Sequence, residues 1–289
     1  MVYFDSIEHM LAGAKERELP LWQFVLRVSA GDTGMTEGAS WQQMQRTLDA
    51  MRACDEDYDP EARSRSGLVG GDAEKLRLAV DRGESISGPF VGDILQTALR
   101  MGESNACMCR IVAAPTAGAC GVLPAVLLPY ARRYQTRDSE LIRALYVAAG
   151  FGAVIAARAS ISGAQSGCQA EIGAAAGMAA AALVYLHGGD EEQMAHGCAI
   201  ALKNLMGLVC DPVAGLVEIP CVKRNAIGAM DALSAAELAL AGIRSRIPPD
   251  EVIDAMRAVG EALPPSLRET GRGGLAATPT AQALRSVLL

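Results

Sequence analysis

Aromatic side chains are scarce: Phe, Trp and Tyr make up 4% of the 289 residues. A β-sandwich or barrel draws heavily on aromatic and β-branched residues, so this composition argues against one. Histidine is scarcer still, at three positions, and lysine stands only at Lys15, Lys75, Lys203 and Lys223. Positive charge is short as well, with 26 basic against 33 acidic residues. The net charge of −7 and pI near 5.1 disfavour nucleic acid or an anionic membrane as a partner. The opening residues M-V-Y-F-D-S-I-E-H-M lack a basic start and an apolar run, so no secretory leader is expected. A cytoplasmic chain is the expectation. There is no sustained period-two alternation, no internal repeat and no C-x-x-C spacing among the eight cysteines. Without a leader, those cysteines read as reduced thiols or metal ligands and not as a disulfide framework.

What is abundant is small and apolar. The apolar fraction is 51%, mostly Ala, Leu, Val, Met and Ile, which suits closely packed helices. Apolar spacing predicts helices over 5–18, 21–30, 39–53, 89–104, 226–242, 249–262 and 278–288. Asp72 and Asp138 are expected N-caps, and Asp190 is expected to form a capping box with Gln193. The runs 138–158 and 169–186 are apolar almost all round and should be central. The uncharged stretch 111–131 is long enough to span a bilayer, but Pro115, Pro124 and Pro129 interrupt it, so a buried loop and helix are expected. The fold class that follows is all-α, a single large domain of closely packed Ala- and Gly-rich helices. Residues 1–65 form an N-terminal layer on a main domain of 66–289.

Residues 158–226 organise the chain. They hold Cys168, Cys210 and Cys221, each beside a helix breaker or polar punctuator: Gly167, Asp211-Pro212 and Pro220. All three are therefore expected on loops or at helix ends, facing one cavity. Three thiolates fall short of a closed structural zinc site, which takes four protein ligands. They meet the needs of an iron–sulfur cluster with one iron left free for substrate. A second unusual stretch, 105–124, strings small residues through P-T-A-G-A-C-G, and such a loop lets backbone approach a small ligand closely.

The stretches I-S-G-A-Q-S-G-C-Q, G-L-V-C-D-P-V-A-G-L-V-E-I-P-C-V-K-R-N-A and N-A-C-M-C-R-I-V-A-A-P-T-A-G-A-C-G-V-L-P resemble the α subunit of the iron–sulfur-dependent L-serine dehydratases. The likeness runs from S-G-L-V-G-G-D at 66–72 to R-E-T-G-R-G-G-L-A-A-T-P-T at 268–280. It implies a [4Fe-4S] cluster on Cys168, Cys210 and Cys221, and conversion of L-serine to pyruvate and ammonia with the cluster as Lewis acid on the substrate hydroxyl. It also places Thr116, Gly118 and Cys120 at the substrate pocket. Ser162, Lys203, Asn204, Arg224 and Asn225 flank the cysteine segments as candidates to hold the substrate. For the last four, capping helices or pairing with Asp211 and Glu218 is an equal alternative.

No histidine falls in these motifs. The resemblance implies a partner β subunit carrying a Ser-Ser-Ser-His-Thr segment, which this chain lacks, so the proton-abstracting base is expected on the partner. The chain ends S-V-L-L, without the terminal cysteine that occupies the open iron in some single-chain members. Cys107 and Cys109 depart from the small residues expected there and read as buried, inert thiols. Three rival readings remain. A pyridoxal-phosphate lyase has few lysines to choose from. The others are a non-catalytic metal-binding helical protein and the same fold acting on L-threonine, D-serine or cysteine.

Overall fold

The structure is a computed structural model that describes residues 4–288; residues 1–3 of the expected N-terminal layer and residue 289 lie outside the described residues. About 69% of the chain is helical and no strand forms among the described residues. Thirteen α-helices follow one another: α1 (Ile7–Glu16), α2 (Leu21–Thr33), α3 (Glu37–Glu56), α4 (Asp72–Asp81), α5 (Gly88–Ala106), α6 (Val122–Tyr134), α7 (Asp138–Arg158), α8 (Gly163–Ser166), α9 (Ala174–Leu186), α10 (Glu191–Asn204), α11 (Cys221–Leu240), α12 (Pro249–Ala262) and α13 (Pro279–Leu288). The all-α expectation holds.

Helix α9, A-A-A-G-M-A-A-A-A-L-V-Y-L, is the axis of the molecule. It is buried from Ala174 through Val184 and packs on α6, α7, α10 and α11. Its small side chains permit that many neighbours at close range. A Cβ on Gly177 would stand 3.0 Å from the sulfur of Cys198 on α10. Helices α7 and the 169–186 run are long and apolar enough to cross a membrane, yet most of each is buried inside this protein, where their apolar faces meet one another.

The first three helices lie across α7. Trp22 and Trp41 meet edge to face at 6.0 Å, and the Tyr146 hydroxyl on α7 bonds the buried Ser40 hydroxyl at 2.7 Å. Asp250 at the start of α12 accepts the amides of Ile7 and Glu8, so it caps α1 from the far end of the sequence. The capping box at Asp190 and Gln193 forms as expected. Asp72 and Asp138 do not act as N-caps. Gly71 and Arg137 take those positions and each aspartate becomes the first helical residue, where its charge still favours the helix N-terminus. The amides of Asp72 and Ala73 are instead met by the buried Glu103, which the Tyr58 hydroxyl also bonds.

Two further expectations are corrected. The 169–186 run is not one regular helix: Gln169–Gly173 winds as a π-helical turn before α9 begins. Cys107 and Cys109 are not buried core thiols. Helix α5 stops at Ala106, so Cys107 is half-buried at its end and Cys109 is exposed.

Candidate metal centre

Three chain segments bring the cysteines to one end of the α9–α11 bundle. Cys168 stands at the head of the π-helical turn. Gln169 beside it is fully buried and fixes that turn, donating to the Met256 carbonyl at 2.9 Å and accepting the Gly207 amide at 2.8 Å. Cys210 sits in a parallel bridge with Arg268, made by Cys210 N–H to the Leu267 carbonyl at 2.9 Å and Glu269 N–H to the Cys210 carbonyl at 2.7 Å. Cys221 opens α11. All three are buried and free of disulfides.

The sulfurs of Cys168 and Cys210 and one oxygen of Glu171 lie within 4.8 Å of one another. Cys221 falls outside that trio, but it lies close enough for the charge of Cys168 to raise its thiol, after burial. The Cys210 thiol donates to Cys168 and the Arg224 guanidinium adds a second donor and a positive charge, and together they hold the Cys168 thiol below its usual range. Cys210, as the donor and a buried group, is pushed up, and burial pushes Cys221 up to about 12. Thiols give up their protons to a metal when it binds, and of these three Cys168 is the one whose neighbours favour the charged form.

Arg224 organises the surroundings. It donates to Cys168 Sγ at 3.4 Å, to the Val209 carbonyl at 2.8 Å and to Asp211 Oδ1 at 2.9 Å. The other oxygen of Asp211 accepts the Leu275 amide at 2.7 Å. The segment 263–278 is thereby strapped over the Cys210 loop at both Arg268 and Leu275. Gly274 makes the second attachment possible. Its φ is +58°, and a Cβ there would stand 2.3 Å from Asp211 Oδ2.

Thr116 and Gly118 reach the centre through Glu171. The Thr116 hydroxyl donates to Glu171 Oε1 at 2.7 Å, and a Cβ on Gly118 would stand 3.1 Å from that same oxygen. Gly163 faces Glu171 from the other side, where a Cβ would come to 2.6 Å from Oε2 and 3.1 Å from Cys210 Sγ. Ser162 precedes α8, half-buried. Asn225 spends its amide on backbone, donating to the carbonyls of Gly118 and Cys221 and accepting the Gly121 amide. It ties the small-residue loop to the Cys221 helix. Cys120 turns into the core, its thiol against the Met101 carbonyl at 3.6 Å, with burial raising it to about 12. Lys203 and Asn204 point elsewhere, to Ser245 at 3.0 Å and Asp231 at 2.7 Å. His9 and His187 bond Asp5 and Tyr130, away from the thiols, and His196 lies 3.7 Å from Glu192 with neither ring nitrogen hydrogen-bonded.

Glu171 is the residue that sequence reasoning passed over. Its signal was its spacing: three residues after Cys168, and so on the same helical face. Burial pushes its carboxyl up, against the pull of the Thr116 hydroxyl. The donor set of three buried thiols, one polarised by an arginine, fits a soft, thiolate-bound metal centre.

The chain is similar to known proteins over nearly its full length. Residues 16–276 match the family model described as "Serine dehydratase alpha chain". A "Probable L-serine dehydratase, alpha chain" of Bacillus subtilis is 48% identical, the alignment covering 97% of this chain and 94% of that one. An "L-serine dehydratase, alpha chain" of Peptoniphilus asaccharolyticus is 39% identical over 97% of each. "L-serine dehydratase 1" of Escherichia coli is 45% identical over 62% of this chain, which corresponds to 40% of that longer protein. The thiol-lined centre, together with these matches, places the chain in the serine dehydratase alpha-chain family.

Proposed function

We propose that this chain is the α subunit of an L-serine ammonia-lyase that converts L-serine to pyruvate and ammonia at a [4Fe-4S] cluster held by Cys168, Cys210 and Cys221. The observation that carries the reading is the approach of the buried Cys168 and Cys210 thiols to one another beside Glu171, with the buried Cys221 close enough to feel the charge of Cys168. Bound there, the cluster supplies a Lewis-acidic iron for the poor leaving group, the β-hydroxyl. The chain's own residues do the rest of the positioning. Arg224 donates to the Cys168 sulfur and fixes Asp211. Asn225 holds the Gly118 loop against the Cys221 helix. Thr116, Gly118 and Gly163 line the approach with little side-chain bulk.

The base that takes the α-proton belongs, on this reading, to a β partner. Two observations support a split site: close relatives are named alpha chains, and the Escherichia coli relative carries more than twice the matched length. The neighbours of the three histidines, Asp5, Tyr130 and Glu192, also lie away from the thiols. A cytoplasmic location is part of the proposal, supported by eight free cysteines. L-Serine is favoured over L-threonine, D-serine and cysteine by the names of the relatives.

A second reading has its own observation. Cys168, Glu171 and Cys210 could hold a single divalent ion without Cys221. One experiment separates the two. The chain is purified without oxygen, with and without its β partner, reconstituted with iron and sulfide, and assayed for pyruvate. The expected result is about four iron and four sulfide per chain, with pyruvate formed only with the partner. Cys168→Ala should lose both cluster and activity. One metal ion per chain, or activity untouched by Cys168→Ala, refutes the cluster reading.

A further inference from the structure

Glu171 brings a half-buried carboxyl to the thiols of Cys168 and Cys210 and forms no ion pair with Lys, Arg or His among the described residues. Its one donor is the neutral hydroxyl of Thr116, at 2.7 Å. The charged group that acts on it most strongly is another acid, Glu269. The Arg224 guanidinium beside Cys168 is already shared among Cys168, Val209 and Asp211. A half-buried carboxylate without a counter-ion is costly to keep, and the cost is recovered when a cation arrives. A methyl group at Gly118 would stand 3.1 Å from one carboxylate oxygen and at Gly163 2.6 Å from the other, so glycine at both positions keeps side-chain bulk off the anion beside Cys210.

An amino acid brings one cation, its α-ammonium. On the reading proposed above, the substrate's hydroxyl is directed to the metal, which leaves the ammonium to be received by the protein. We propose that Glu171 is the group that receives the substrate's α-ammonium, with Thr116 orienting its carboxylate, and that this contact makes the enzyme selective for 2-amino acids. The inference rests on the serine dehydratase reading. It assigns Glu171 a role in binding and not in proton transfer. It also accounts for Thr116 lying at the centre while making its hydrogen bond to Glu171.

The test compares two ligands that differ only in the amine: L-serine and 3-hydroxypropionate. The holoenzyme with its partner is prepared as wild type, Glu171→Gln and Glu171→Asp. Iron and sulfide content, the cluster's electron paramagnetic resonance spectrum, KM and kcat for L-serine, and the inhibition constant of 3-hydroxypropionate are measured. Loss of one charge-assisted hydrogen bond to ligand should raise KM for L-serine about 10- to 100-fold in Glu171→Gln. The 3-hydroxypropionate constant should stay within about threefold, because that ligand has no ammonium to lose. Glu171→Asp should fall between, and iron content and spectrum should match wild type in both. Equal weakening of both ligands, unchanged L-serine KM, or loss of iron in Glu171→Gln each overturns the proposal; the last would make Glu171 a metal ligand. A wild-type holoenzyme without iron overturns the underlying reading instead, and is told apart because it precedes any substitution.

Discussion

Removing the Arg224 side chain should loosen the C-terminal strap without unfolding the protein. The guanidinium makes three hydrogen bonds, at 3.4, 2.8 and 2.9 Å, to Cys168, the Val209 carbonyl and Asp211. Asp211 is only 3% exposed. In Arg224→Ala its carboxylate keeps a single partner, the Leu275 amide. Breaking a buried ion pair from one side costs about 3–5 kcal/mol, mostly because the remaining charge is stranded. Removing both partners strands no charge, so the double variant Asp211→Ala/Arg224→Ala should be less unstable than the two single variants added together. The coupling should be about 2–3 kcal/mol. Lysine should not restore the wild type, since one ammonium cannot span three acceptors as a planar fork does. The assay is urea unfolding of the four proteins of the cycle, with native-state hydrogen exchange read at the amides of Cys210, Glu269 and Leu275. Those amides should exchange faster in Arg224→Ala, while amides of α9 stay protected. Additivity within about 0.5 kcal/mol, or unchanged exchange at the three amides, would refute the reasoning.

Asp231 offers a pH dependence. Burial raises its carboxyl to about 6 from 3.8, and one of its oxygens has no hydrogen-bond partner. A raised carboxyl favours the folded state only while protonated, so its contribution is full below about pH 4 and is lost as pH rises to about 6. Asp231→Asn cannot titrate, so its stability advantage over wild type should grow across that window to no more than about 2–3 kcal/mol and then level off; thermal melts at pH 4, 5, 6 and 8 check it, and a flat difference would contradict it. Two glycines should respond oppositely to alanine. At Gly31, inside α2, a Cβ would meet nothing within 4 Å, so Gly31→Ala should stabilise by about 0.5–1 kcal/mol. At Gly121 a Cβ would stand 2.7 Å from the Ala98 carbonyl and 3.0 Å from Asn225, so Gly121→Ala should cost about 1–3 kcal/mol in the same urea assay.

Most of the helical frame was legible in the sequence because its signals are local. The capping box at Asp190, the proline starting α12 and the all-round apolar runs of α7 and α9 each act within a few residues. The thiol centre was legible because cysteines beside helix breakers are rare enough to stand out. What stayed hidden depends on contacts between distant segments. Glu171 reads as an ordinary helix residue until Thr116 and Gly163 are brought to it. Glu103 caps a helix that begins 31 residues before it. Lys203 and Asn204 lie near the cysteine loop in sequence, but the end of α10 turns their side chains to Ser245 and Asp231. Cys107 and Cys109 read as buried thiols, but α5 ends at Ala106 and leaves one half-buried and the other exposed.

The strap of residues 263–278 also sets an order of events during synthesis. Cys168 and Cys210 leave the ribosome well before Leu267, Glu269 and Leu275, the residues that pin the Cys210 loop. Until those residues emerge, the two cysteines sit on a nascent chain whose metal-holding loop has no floor. The helices around α9 can pack as they appear, domain portions folding while translation continues. The surroundings of Cys210 are completed only when the strap is laid down, so on the proposed function cluster loading would belong to the finished polypeptide, and chains stopped before residue 263 would lack the contacts that pin that loop.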